Sequence, residues 1–169
     1  MLDLFISAFI TFFVVIDPPG CAPIYASLTK GATSAQRRNM AIRATAIAAG
    51  ILFVFALFGE KLLAALHIEL DSFRIAGGVM LFLIAIDMVF EKRTERREER
   101  AAKIIETPEI EDVSVFPMAM PMIAGPGSIA SVMLLMAQNE GIERASIILS
   151  ALGAVMLLTM LALLAAGPI

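Results

Sequence analysis

The sequence predicts an all-α membrane protein, a polytopic bundle of helices, and three observations carry that class. Of 169 residues 59% are hydrophobic and the mean hydropathy is +0.87, outside the range of an ordinary soluble domain. Fourteen of the 29 charged residues fall between Glu91 and Asp112, which leaves the rest of the chain in long, nearly uncharged stretches. Two of those stretches carry helix breakers, at Asp17-Pro18-Pro19-Gly20 and at Gly125-Pro126-Gly127-Ser128. Backbone freed from a helix at bilayer depth survives only where protein or a polar cavity satisfies it.

A bilayer core takes about 20 apolar residues per helix, and five spans are expected, at 4–29 (broken), 40–58, 73–90, 113–137 (broken) and 145–166. In the first, residues 4–16 give about 20 Å of helix before Pro18 and Pro19 each remove a backbone donor. Gly20 admits otherwise strained torsions, and Pro23 suits the first turn of a new half-helix reaching Thr29. The second span carries Ala44, Ala46, Ala48, Ala49 and Gly50, and the third Ala76, Gly77 and Gly78, which allow the close helix approach that packing in lipid needs. The segment 91–112 mixes six basic with eight acidic residues and contains Pro108. Like-charge spacings such as Glu91 to Glu95 make it a solvated, weakly helical linker. In the fourth span Gly125-Pro126-Gly127 opens the backbone, and Ser128 is the expected N-cap of a half-helix over 129–136.

Between the spans, Asp87 is expected to snorkel or to pair with Arg43, with a gating or proton-relay role as the alternative. Arg74 reads as an interfacial anchor, and His67 as part of a short amphipathic loop over 60–70. Lys30, Arg37, Arg38 and Arg43 flank the first loop and six more basic residues occupy the third, against Lys61, Arg74 and Arg144 elsewhere. That bias places the first and third loops in the cytoplasm and the N-terminus outside. The start of the chain lacks a basic leader and a small-residue cleavage site, so the first apolar run is expected to be retained.

An offset of 107 residues superimposes Pro19-Gly20 on Pro126-Gly127, Phe9 on Phe116, Ile16 on Ile123 and Arg37 on Arg144. The organisation this implies is a first three-helix repeat over 1–90, the charged linker over 91–112, and an incomplete second repeat over 113–169. Three spans in the first half would invert the second in the membrane. A sixth helix is expected after the fifth, and the chain lacks it.

The breaks define the candidate site. Two half-helix N-termini meeting near the midplane make a cradle for an anion such as a carboxylate. Exposed carbonyls and the carboxylate of Asp17 suit an ammonium, a proton or Na+. An acid inside the membrane costs about 2.5–3.5 kcal/mol on insertion scales, which makes Asp17 a functional candidate. The frame of small residues, Gly20, Cys21, Ala22, Ala124, Gly125 and Gly127, suits a small zwitterion, whereas the bland reading is a pair of proline-kinked helices. Cys21 and His67 are each the single residue of their type, too few for a disulfide or a Cys/His metal site. No span shows paired acids that could activate water, so no enzyme activity and no cofactor are expected. No nucleic-acid partner is indicated.

The stretches Ile16-Asp17-Pro18-Pro19-Gly20-Cys21-Ala22-Pro23-Ile24 and Phe116-Pro117-Met118-Ala119-Met120-Pro121-Met122-Ile123-Ala124-Gly125-Pro126-Gly127-Ser128-Ile129 resemble the paired motifs of the MarC family. So do Phe73 to Gly78 and Ala85-Ile86-Asp87-Met88. The resemblance implies a six-span inner-membrane protein with inverted repeats and broken first and fourth helices, some members being described as small neutral amino acid transporters. It implies Asp17, Pro18, Gly20 and Pro23, with Gly125, Pro126, Gly127 and Ser128, as substrate-site residues. The expectation is a bacterial secondary transporter of glycine, alanine or serine, working by alternating access with H+ or Na+ as coupling ion. Its partners would be the amino acid and the bilayer, with assembly into a homo-oligomer left open. A non-transporting scaffold or regulator, and a channel for small solutes, stand as the alternatives.

Overall fold

The computed structural model describes residues 1–90, 112–139 and 141–166. Among these described residues seven helices follow in chain order: α1 Leu2–Ile16, α2 Pro18–Leu28, α3 Ser34–Ala65, α4 Leu70–Val89, α5 Ser114–Ile123, α6 Pro126–Gln138 and α7 Ile142–Ala165. No strand occurs among the described residues. The expected linker lies outside them apart from Asp112.

α1 and α2 continue as one apolar span of 27 residues, Leu2–Leu28, interrupted only at Asp17, whose backbone is left-handed (φ 59°, ψ 66°). The break is narrower than expected. Pro18 and Pro19 are the first two residues of α2, where a missing N–H costs no helical hydrogen bond. The new half-helix therefore starts at Pro18, and Pro23 lies inside it.

α3 overruns the expected 40–58 at both ends. Thr33 and Gln36 form a capping box at its start, and the polar first turns are helical too. At its end His67 is left-handed (φ 57°) and the Ile68 N–H reaches back to the Leu63 carbonyl at 2.9 Å, a Schellman closure. His67 is thus a helix stop.

α5 is the least regular element. Phe116 (φ −126°, ψ 128°) and Met120 (φ −136°, ψ 125°) have extended backbone, as residues before proline favour. Wide turns bridge them, with Met118 N–H on the Val113 carbonyl (3.2 Å) and Ala124 N–H on the Ala119 carbonyl (2.9 Å), each five residues back. α5 and α6 meet at 52°.

Among the described residues three stretches are long and apolar enough to cross a membrane, Leu2–Leu28, Ser34–Ala65 and Ile142–Ala165, and the bent pair α5 and α6 raises this to as many as four. The expected span at 73–90 is present as α4, which carries Asp71, Arg74 and Asp87 in 20 residues and is not among them.

α7 packs against α1, α2 and α3, while α3 also carries α5 and α6. α7 buries Ile148, Ala151, Leu152, Val155, Thr159 and Leu163, a stripe at helical spacing. Ala8, Phe12 and Ile16 of α1 are fully buried, as are Ala44, Ala48 and Leu52 of α3. The small residues Ala44 and Ala48 do serve close packing, and Gly77 does so from α4 against Leu134 of α6. Ala46, Gly50, Ala76 and Gly78 instead face outward. Ile6, Ile10 and Val14 of α1, and Leu157, Leu161 and Leu164 of α7, are exposed. An outer surface this apolar is suited to lipid, and the molecule is a polytopic helical membrane protein.

Candidate functional site

Asp17 caps the half-helix that follows it. One carboxylate oxygen, Oδ1, accepts the Gly20 N–H at 3.1 Å, and the Asp17 carbonyl accepts the Cys21 N–H at 3.0 Å. The carboxylate folds so closely over the first turn of α2 that a Cβ on Gly20 would stand 2.2 Å from Asp17 Oδ2. A side chain at position 20 would therefore make this carboxylate shift. The N-terminus of α2 is consequently supplied with an anion by the chain itself. Asp17 is half-buried, Pro18 and Cys21 are buried, and Pro19 and Pro23 are exposed. Cys21 directs its thiol to the Ile16 carbonyl, with 3.5 Å between sulfur and oxygen.

At the second break the cap is Gly125, with Pro126 as the first residue of α6. The expectation that Ser128 is the N-cap is corrected: it lies inside the first turn and donates its hydroxyl to the Ile123 carbonyl at 2.8 Å. That bond satisfies a carbonyl at the end of α5 that has no helical partner. Ser131 donates its hydroxyl to the Gly127 carbonyl at 2.7 Å, a bond to the residue four back within α6. Among the described residues no side chain caps the N-terminus of α6. Gly125 is buried against the preceding irregular turn, where a Cβ would lie 2.4 Å from the Pro121 carbonyl oxygen. Pro126 is exposed, whereas Gly127 and Ser128 are buried.

Gly127 is the residue through which the two breaks meet. A Cβ there would stand 3.3 Å from Val15 Cγ1 of α1, two residues before Asp17, and 2.4 Å from Ile84 Cδ1 of α4. The space beside it is filled by these two side chains. Of the sequence-predicted residues, Asp17, Gly20, Gly125, Gly127 and Ser128 thus cluster about the two helix starts, while Pro23 and Pro126 face outward. Val15, Ile84 and Pro121 were not predicted. Pro117 and Pro121, four residues apart ahead of the second break, were the legible signal for part of this.

The caps Asp17 and Gly125 are 108 positions apart, one more than the offset that aligns the Pro-Gly pairs. One residue is 100° of helix rotation, so matching the caps and matching the glycines orient the half-helices differently.

Arg43 pairs with Asp112, next to α5; the side chain of Asp87, its expected partner, lies outside the described residues. Asp112 Oδ1 also accepts the Ser114 N–H at 3.0 Å. Ser114 above all, with help from Arg43, holds the Asp112 carboxyl below its ordinary value of 3.8. Arg74 bonds Asp71 at 2.8 Å on the same helix. Among the described residues no three His, Cys, Asp or Glu side chains converge as a metal site requires.

The comparisons agree with the geometry in kind. The chain is 38% identical over 168 residues to the UPF0056 membrane protein MJ1677 of Methanocaldococcus jannaschii, covering 98% of this chain and 80% of that one. It is 35% identical to the UPF0056 membrane protein YvbG of Bacillus subtilis, covering 95% and 76%. It is also 35% identical to the UPF0056 inner membrane protein YhgN of Escherichia coli, covering 77% and 62%. No solved structure matches the chain. The model of the MarC family of integral membrane proteins matches residues 2–169, and the chain belongs to that family.

Proposed function

We propose that the protein is a secondary transporter of small neutral amino acids, glycine, alanine or serine, in the bacterial inner membrane. The observation that carries this reading is the contact between the two breaks, with Gly127 at the start of α6 packed on Val15 of α1, two residues before Asp17. The two ends differ in character. α2 is already capped by a carboxylate, so Asp17 is the group that receives the substrate ammonium or the coupling cation, H+ or Na+. α6 has no side-chain cap, and its free N–H groups beyond Pro126 receive the substrate carboxylate. Pro18 and Gly20 shape the first half of the site, and Gly125, Gly127 and Ser128 the second.

With Val15 and Ile84 against Gly127 the arrangement is closed. Access then requires α1 or α4 to move away from α6. The order of elements supports a repeat: an interrupted pair followed by a long helix occurs as α1, α2, α3 and again as α5, α6, α7. Two such units inverted in the membrane supply alternating access by rocking about the shared site. The test is uptake of labelled glycine and alanine into proteoliposomes under imposed proton and Na+ gradients. Accumulation driven by one gradient and abolished by its collapse is expected. Equilibration indifferent to both gradients would replace the transporter with a channel, and no uptake at all would leave a scaffold.

A further inference from the structure

Gln36, Asn39, Met40, Arg43 and Asp112 line a cavity of about 220 Å3. Its depth in the membrane follows from α3. Between Arg43 and Glu60 that helix has 16 residues without a charge, about 24 Å of helix. That approaches the thickness of a hydrocarbon core, roughly 30 Å. Arg43 therefore stands at the edge of the core, at the level of the lipid headgroups.

The lining has both signs of charge. Arg43 and Asp112 are paired, yet their side chains remain 59% and 44% exposed. A guanidinium has five N–H donors and a carboxylate about four acceptor sites, so the pair keeps capacity for a ligand on each partner. A ligand with a phosphate and an ammonium a few bonds apart can lie head to tail beside this pair, phosphate on Arg43 and ammonium on Asp112, without separating them. Gln36 and Asn39 add neutral donors and acceptors, and Met40, which is buried, gives an apolar wall. The geometry points to a lipid site in which these five residues hold the phosphoethanolamine headgroup of a membrane phospholipid. A glycerol headgroup brings the phosphate and neutral hydroxyls but no cation for Asp112. A choline headgroup brings a cation with no N–H to donate.

The experiment is native mass spectrometry of the purified chain in detergent, with phosphatidylethanolamine, phosphatidylglycerol and phosphatidylcholine added in turn. Retention of phosphatidylethanolamine above the other two is expected. Asp112→Asn should lower that retention about fivefold, the size of an exposed charge contact, and should bring it level with phosphatidylglycerol. Because the pair also joins α5 to α3, Asn39→Leu serves as a second variant that leaves the pair intact and should likewise weaken retention. Equal retention of all three lipids would overturn the proposal, as would unchanged retention in both variants. Displacement of the lipid by soluble phosphoethanolamine or by glycine at comparable concentration would overturn the lipid source and make the cavity a site for a soluble zwitterion.

Discussion

At position 17 one side chain has two separable tasks, capping α2 and carrying a charge at the break. Asparagine caps a helix as well as aspartate does and tolerates left-handed backbone, so Asp17→Asn removes the charge alone, whereas Asp17→Ala removes both. In thermal unfolding in detergent, Asp17→Asn should stay within a few tenths of a kcal/mol of the parent and Asp17→Ala should lose about 0.5–2 kcal/mol. In uptake, both should fail, with affinity reduced about ten- to a hundredfold by loss of a charge-assisted hydrogen bond. Normal uptake by Asp17→Asn would leave residue 17 a cap and nothing more. Ser128→Ala reports on the fold of the second break. It strips the buried Ile123 carbonyl of its donor, and should destabilise by about 1–3 kcal/mol. Gly125→Ala should cost a similar amount, because its new methyl would meet backbone at Pro121 and backbone cannot rotate away.

At the scale of elements, the first turns of α3 anchor both interrupted pairs. Tyr25, buried in α2, donates its hydroxyl to the Arg37 carbonyl, and Arg43 holds Asp112 at the start of α5. The second tie depends on a carboxyl whose folded value is depressed. It is therefore present above the ordinary carboxylate range and lost as pH falls through the lower folded value. Hydrogen exchange of α5 amides should be unchanged between neutral pH and about pH 5 and should accelerate, after correction for intrinsic rates, only in stronger acid. Arg43→Gln should show the faster exchange already at neutral pH. These ties also mark what could be read in advance. The apolar runs placed α1, α2, α3, α6 and α7 because hydrophobic length and breakers are local properties. The start of α2 at Pro18 was missed because two prolines read as a stop, although at a helix start they cost nothing. The irregular course of α5 was missed because Pro117 and Pro121 look like helix kinks in isolation. The Arg43–Asp112 pair joins residues 69 positions apart, and no periodicity reports such a contact. Gly20 and Gly127 were legible as requirements for small residues, but the partners that impose the requirement, the folded-back Asp17 carboxylate and the side chains of Val15 and Ile84, belong to the assembled bundle.

At the scale of the whole molecule, the transport reading depends on an orientation that can be tested without any substrate. α3 is a single uninterrupted helix of 32 residues, about 48 Å long, enough to cross a bilayer whose full thickness is about 40–45 Å. On the transport reading, the excess of Lys and Arg around the first turns of α3 assigns that end to the cytoplasm. The same reading requires α4, which falls outside the stretches apolar enough to cross by composition, to return Phe90 to the cytoplasmic side, so that the α5 and α6 pair enters from the side opposite to α1. The native Cys21 is fully buried, so single cysteines introduced elsewhere can be read against a quiet background. Lys30→Cys and Phe90→Cys should react with a membrane-impermeant maleimide only after the membrane is opened, while Glu69→Cys and Arg144→Cys should react in intact cells. All four sites lie outside the candidate site, so the variants should retain uptake. If Lys30→Cys and Glu69→Cys label from the same side, α3 does not span. Labelling of Phe90→Cys from outside with Lys30→Cys protected would mean that α4 does not cross. The second interrupted pair would then enter from the same side as the first, and alternating access by inverted repeats would have no geometric basis in this chain.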